Sequence, residues 1–291
     1  MRNNEKRLGM SQGQSLPEDA TAATQTTEQP QSQGLSFVVP TEFVELPSQG
    51  KFYPGGHPLC NEEVVEIKYM TAKEEDILTS TSLLRRGLAV ERLLGNLLVN
   101  KSIDTESLLA GDRNAILVAA RISGYGKVYE TKVACPSCGE SSVHVFDLEN
   151  SKMSHNCFDR EFLKEKEIEL ENNIFYVTLP KTKARVGLRM LTGRDEIFLM
   201  RARKKKKAND TETTVTDQLG NIIISLNKDT DSWSIRRFID TMPISDSKYV
   251  RNLYQQLVPN LDLTQSFGCF NCGYLDDMEV PFNTEFFWPN Q

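Results

Sequence analysis

The sequence predicts an α+β protein built as two tandem related halves, each a strand pair followed by helices, closed by a shared zinc-ribbon-like four-cysteine module. Three observations predict it. Short strand patterns give way to helical spacing, one succession of landmarks occurs twice, and each copy ends in Cys-x-x-Cys-Gly. The expected division is an arm over 1–36, a first repeat over 37–150 and a second over 151–291.

Residues 1–36 are rich in Gln, Ser, Thr, Glu and Gly, with almost no large apolar side chains, so a disordered arm is expected there. Prolines follow the short apolar runs Phe37-Val38-Val39 and Phe43-Val44-Glu45-Leu46, which favours extended backbone. The turn-rich Gly50-Lys51-Phe52-Tyr53-Pro54-Gly55-Gly56 comes next, and Val64 to Tyr69 reads as a strand. Thr71-Ala72-Lys73-Glu74 is a capping box, so a helix should start at Ala72. Val90, Leu93, Leu94, Leu97 and Leu98 line one helical face, and Ile116, Ala119 and Ala120 repeat that spacing after Asp112.

The order of events from Val65 returns from Val186. Val65 to Glu75 aligns with Val186 to Glu196, each reading as a strand, a Thr cap and an acidic first turn. Leu94-Gly95-Asn96-Leu97-Leu98 aligns with Leu219-Gly220-Asn221-Ile222-Ile223, which argues that the second segment is helical despite its β-branched residues. Asp112 stands 23 residues before Cys135, and Asp246 stands 23 residues before Cys269. Any one match could be chance; four in the same order argue for duplication.

Cys135-Pro136-Ser137-Cys138-Gly139 and Cys269-Phe270-Asn271-Cys272-Gly273 are knuckles, in which a tight turn aims two thiolates at one point. Strands are expected on both sides of each: around Val128–Val133 and Ser142–Phe146, and around Leu263–Phe267 and Met278–Phe282. Four thiolates in tetrahedral array suit a structural Zn2+ on Cys135, Cys138, Cys269 and Cys272. Iron, an iron–sulfur cluster, redox dithiols and vestigial cysteines are the alternatives. His144 reads as an ordinary strand side chain, and Cys60, Cys157, His57 and His155 lack partners at ligand spacing.

Charged residues make up 25% and hydrophobic ones 39%, and no apolar run approaches the roughly 18 to 20 residues of a membrane span. With no secretory pattern at its start, the chain is expected to work in a cytoplasm. A net charge of −6 argues against broad affinity for nucleic acid. The one dense basic run, Arg201 to Lys207, reads as a solvated helix end, with an acidic partner or nucleic acid as the alternative. The aromatic stretch from Phe282 to Pro289 is expected to pack on the core, with an oligomeric contact as the alternative. No phosphate loop, nucleophile elbow or His-Glu-x-x-His motif occurs, and three histidines leave few candidates for acid–base chemistry, so no enzyme is expected.

One set of blocks carries a family likeness. Phe37-Val38-Val39-Pro40-Thr41-Glu42-Phe43-Val44-Glu45-Leu46-Pro47-Ser48-Gln49-Gly50-Lys51-Phe52-Tyr53-Pro54, with Tyr69-Met70-Thr71-Ala72-Lys73-Glu74-Glu75-Asp76-Ile77-Leu78 and Gly111-Asp112-Arg113-Asn114-Ala115-Ile116-Leu117, resembles the baseplate hub (assembly) proteins of T-even-type contractile-tailed bacteriophages. The likeness runs from Phe37 to Gly139 and more loosely to the second knuckle. It implies a late phage protein that partners other hub proteins, either as a virion subunit or as an assembly chaperone acting in the host cytoplasm. It brings no active-site residue. Two other functions compete: a zinc-ribbon nucleic-acid-binding or regulatory phage protein, and a thiol oxidoreductase. The acidic charge counts against the first, and stoichiometric zinc would count against the second.

Overall fold

The computed structural model describes residues 38–205, 214–281 and 286–287. The expected arm, the side chains of Arg201 to Lys207 and most of the aromatic C-terminus lie outside the described residues. Residues 1–38 and 39–291 are separate units. Only Val38 of the first is described, and it is exposed; every strand and helix named here lies in the second.

The first pair is β1 (Thr41–Glu45) and β2 (Val64–Lys68), antiparallel with Val44 opposite Val65. Alternation turns Val44, Val65 and Ile67 inward, as a half-buried pair requires. In the loop between them Gly50 sits at φ +68°, and a Cβ there would lie 2.4 Å from the Glu62 nitrogen, so only glycine fits.

Helix α1 (Ala72–Thr79) begins at the capping box: the Thr71 amide donates to Glu74 Oε2 at 3.0 Å. Short α2 (Thr81–Arg86) leads to α3 (Ala89–Leu97), which buries Leu93, Leu94 and Leu97 while Val90 stays half-buried. Helix α4 (Ala110–Tyr125) buries Ile116 and Ala120 as their spacing predicts. It delivers the chain to a hairpin of β3 (Val128–Ala134) and β4 (Ser141–Asp147).

The next stretch holds β5 (Lys152–Ser154), α5 (Arg160–Glu165), β6 (Glu169–Glu171), β7 (Ile174–Thr178) and β8 (Arg185–Leu188). Thr192 then caps α6 (Gly193–Lys205): its amide and hydroxyl donate to Asp195 Oδ2 at 2.8 and 2.9 Å. Helix α7 (Thr214–Ile222) runs straight into β9 (Ile223–Leu226), completing an antiparallel sheet of order β6-β7-β8-β9. Helices α8 (Ser232–Thr241) and α9 (Ile244–Leu257) follow, then β10 (Asn260–Asp262), which pairs back to β5. The last hairpin is β11 (Thr264–Gly268) with β12 (Leu275–Glu279). Among the described residues no helix is long and apolar enough to cross a membrane.

One core runs through all of this, from Val44 to Phe287. Two buried carboxylates tie helix starts to loops within it. Asp112 on α4 accepts from the Ser48 amide at 2.9 Å, the Ser48 hydroxyl at 2.5 Å and the Tyr53 hydroxyl at 2.8 Å. Asp246 on α9 accepts from the amides of Lys181 and Thr182, both at 2.9 Å. Arg113 on α4 reaches Glu91 on α3 at 2.7 Å and Glu196 on α6 at 3.3 Å, joining three helices by charge.

Two expectations need correction. The final strand was expected over Met278–Phe282, but β12 spans Leu275–Glu279, because pairing starts directly at the knuckle with Gly268 opposite Leu275 and ends before Pro281, which has no amide to donate. Ile223 leaves the helix for β9, as its branched side chain and its position beside β8 favour. The added strands β5, β6, β9 and β10 follow no alternation strong enough to read from runs of three or four residues.

Candidate metal centre

Both knuckles are the same piece of covalent and hydrogen-bonded geometry. In the first, the Cys135 amide donates to Glu140 O at 2.8 Å and the Gly139 amide to Cys135 O at 2.9 Å. In the second, Cys269 donates to Tyr274 O at 2.8 Å and Gly273 to Cys269 O at 3.0 Å. Each turn closes through a left-handed glycine, Gly139 at φ +74° and Gly273 at φ +71°, which is why glycine follows each second cysteine.

The two hairpins face each other and bring all four sulfurs to one point. Cys135 Sγ lies 3.7 Å from Cys272 Sγ, and Cys138 Sγ lies 3.8 Å from Cys269 Sγ. The four ligand atoms all lie within 4.8 Å of one another. A disulfide would require about 2.05 Å. A tetrahedron with metal–sulfur bonds of about 2.3 Å has edges of about 3.8 Å, so the donor set fits a tetrathiolate metal ion. Cys135 and Cys269 are buried and Cys138 and Cys272 are exposed. The Cys272 and Asn271 amides lower the Cys269 thiol, while proton sharing with the other three sulfurs raises that of Cys272, so the four thiols titrate as one set.

The hairpins are held together by more than sulfur. Gln265 on β11 clasps the backbone of Asp147 on β4: its Nε2 donates to Asp147 O at 2.7 Å, and its Oε1 accepts from the Asp147 amide at 3.1 Å. His144 packs against Phe146 and, across the gap, Phe267, at centroid distances of 4.6 and 5.3 Å. Fully buried Arg121 on α4 donates to Phe286 O at 2.6 Å, Gly126 O at 2.7 Å and Val128 O at 3.2 Å. Tyr129 donates to Pro281 O at 3.2 Å.

No curated protein and no solved structure gives a match. Residues 39–174, however, match the family model described as T4 bacteriophage base plate protein. Over this segment the chain is similar to the T4-type phage baseplate family. The match covers β1 through the start of β7, and so takes in the first knuckle and stops well short of the second.

Within the matched segment the other sequence candidates stay apart from the sulfurs. Cys157 is fully buried, and burial pushes its thiol up to about 12; Cys60 is half-buried in the β1–β2 loop. His57 is spent on Ser107 Oγ at 2.8 Å and His155 on Pro47 O at 3.2 Å. Gln265 and Arg121 were not singled out from the sequence. Arg121 had a readable signal, since it follows Leu117 by four residues and Val118 by three and so shares their buried face of α4. Gln265 had none.

Proposed function

We propose that the chain is a non-catalytic structural or assembly protein of a phage tail baseplate, acting at the hub. Its two duplicated halves, 37–150 and 151–291, are held in register by one structural zinc ion on Cys135, Cys138, Cys269 and Cys272. The family match over residues 39–174 carries the baseplate reading. Four protein thiolates fill a tetrahedral shell and leave no open position for substrate, which suits structural zinc.

The duplication is supported by geometry beyond the knuckles. Val44 pairs with Val65 as Val177 pairs with Val186. Leu98, just after α3, bridges to Ile67, and Ile223, just after α7, pairs with Leu188. Each first strand leads into Leu-Pro, Leu46-Pro47 and Leu179-Pro180, and the backbone just beyond is held by Asp112 or Asp246 from a helix start. A metal shared between the two knuckles then orients one half against the other.

The test is infection with phage carrying a nonsense codon in this gene, followed by mass spectrometry of wild-type particles beside infected-cell lysate. We expect the mutant to accumulate tails or tail parts without complete baseplates. The chain in particles and lysate identifies a subunit, and the chain in lysate alone identifies a chaperone. Normal baseplates from the mutant would refute the proposal.

A further inference from the structure

Strand β1 presents an edge that nothing among the described residues pairs with. The Leu46 amide donates to Glu63 O at 2.8 Å and the Tyr69 amide to Pro40 O at 3.0 Å, which sets the parity of the ladder. Glu42 and Val44 therefore turn their amides and carbonyls toward β2, and those of Thr41, Phe43 and Glu45 point the other way. The sheet there has two strands only.

The molecule itself shows what such an edge accepts. In β7, with Val177 opposite Val186 as Val44 is opposite Val65, the corresponding edge is covered by antiparallel β6, with Glu169 opposite Tyr176 and Glu171 opposite Ile174. Arg185 lies over the Tyr176 ring at 4.5 Å and pairs with Glu169. Phe43 holds the position of Tyr176 and is 70% exposed, and Val64 holds that of Arg185 and is 41% exposed. The surrounding charge is also reversed: Glu42, Glu45, Glu62, Glu63 and Glu66 lie in or next to β1 and β2 along the chain, against Lys68 within them and Lys101 near it.

We infer that the open edge of β1 is a docking site for an extended, basic segment of another protein, which adds antiparallel to β1 opposite Thr41, Phe43 and Glu45 and packs apolar side chains on Phe43 and Val64. Strand addition supplies affinity through the backbone, and the carboxylates select the charge of the incoming strand. A second copy fits poorly. Joining two β1 edges would bring two sets of five glutamates together over one short strand, far below the roughly 1,200 Å² of a stable interface. The inference goes beyond the baseplate reading and can fail without it.

The test is backbone-amide hydrogen exchange on the full chain with a heptapeptide alternating lysine and valine as probe, beside its glutamate–valine twin. We expect the lysine peptide to slow exchange at Thr41, Phe43 and Glu45 by about tenfold or more, and the twin to do nothing. Phe43→Asp should abolish the effect while Val44 keeps its protection, showing an intact strand pair. The double variant Glu45→Lys, Glu66→Lys should transfer the preference to the glutamate peptide. Equal slowing by both peptides, or slowing elsewhere on the chain, would overturn the inference. So would protection already present without peptide, which would report a second copy if it rises with protein concentration and another part of this chain if it does not.

Discussion

Replacing Gly111 with alanine sets two effects of known sign against each other. In a helix interior alanine is better than glycine by roughly 1 kcal/mol, and by less at the second residue of α4 where Gly111 stands, so propensity alone predicts a small stabilisation. The packing opposes it: a Cβ on Gly111 would stand 1.9 Å from Pro259 O and 2.9 Å from its carbonyl carbon, both backbone atoms. No rotamer change relieves that contact, so α4 and the chain entering β10 must move apart. The next residue, Asp112, is held to Ser48 and Tyr53 by bonds of 2.5 to 2.9 Å that do not stretch far. Overpacking of this kind costs typically about 1 to 3 kcal/mol and sometimes more, and the rigidity here places it at the upper end. We expect Gly111→Ala to destabilise by about 2 kcal/mol net, read as a fall in the urea midpoint at constant slope. Gly95→Ala on α3 is the control, since its nearest neighbour is the Thr105 Cγ2 at 3.8 Å, and it should stabilise by up to about 1 kcal/mol. A Gly111→Ala protein as stable as Gly95→Ala would refute the close approach of α4 to β10.

Three further predictions concern the metal, the buried arginine and acid. Wild type should bind about one zinc per chain, and the double variant Cys135→Ser, Cys272→Ser should melt little below either single variant, because losing one ligand already disables a shared site; two zincs, or additive losses, would mean independent knuckles. Arg121→Met should cost about 2 to 4 kcal/mol by stranding the carbonyls of Phe286, Gly126 and Val128, and an unchanged melting temperature would show those bonds to be dispensable. The two buried aspartates should respond oppositely to acid. Burial raises Asp112, whereas burial of Asp246 is outweighed by the Thr182 and Lys181 amides, which lower it. As pH falls from about 7 through about 4 and below, wild type should therefore gain stability relative to Asp112→Asn and lose it relative to Asp246→Asn. Parallel pH profiles for the two variants would contradict this.

Local chemistry was legible from the residues. Thr71 and Glu74 announced the start of α1, the inward face of α3 followed from Leu93, Leu94 and Leu97, and each Cys-x-x-Cys-Gly announced a turn that glycine must close. These signals work at separations of two to four residues, where backbone geometry alone decides which side chains meet. The likeness of the Phe37–Pro54 and Gly111–Leu117 blocks to baseplate proteins was equally a matter of residues in order.

What needed the tertiary structure were contacts between segments that share no local period. Nothing in the sequence around Gln265 says that its amide will clasp Asp147, nor around Gly111 that a carbonyl from Pro259 will press on it. That four sulfurs from positions 134 residues apart, Cys135 to Cys269 and Cys138 to Cys272, converge within 4.8 Å could be expected from the sequence but only measured in the fold. The difference between a covered edge at β7 and an open one at β1 was likewise invisible, because a strand's own residues set which groups point outward, while only the assembled sheet decides whether another strand is there to meet them.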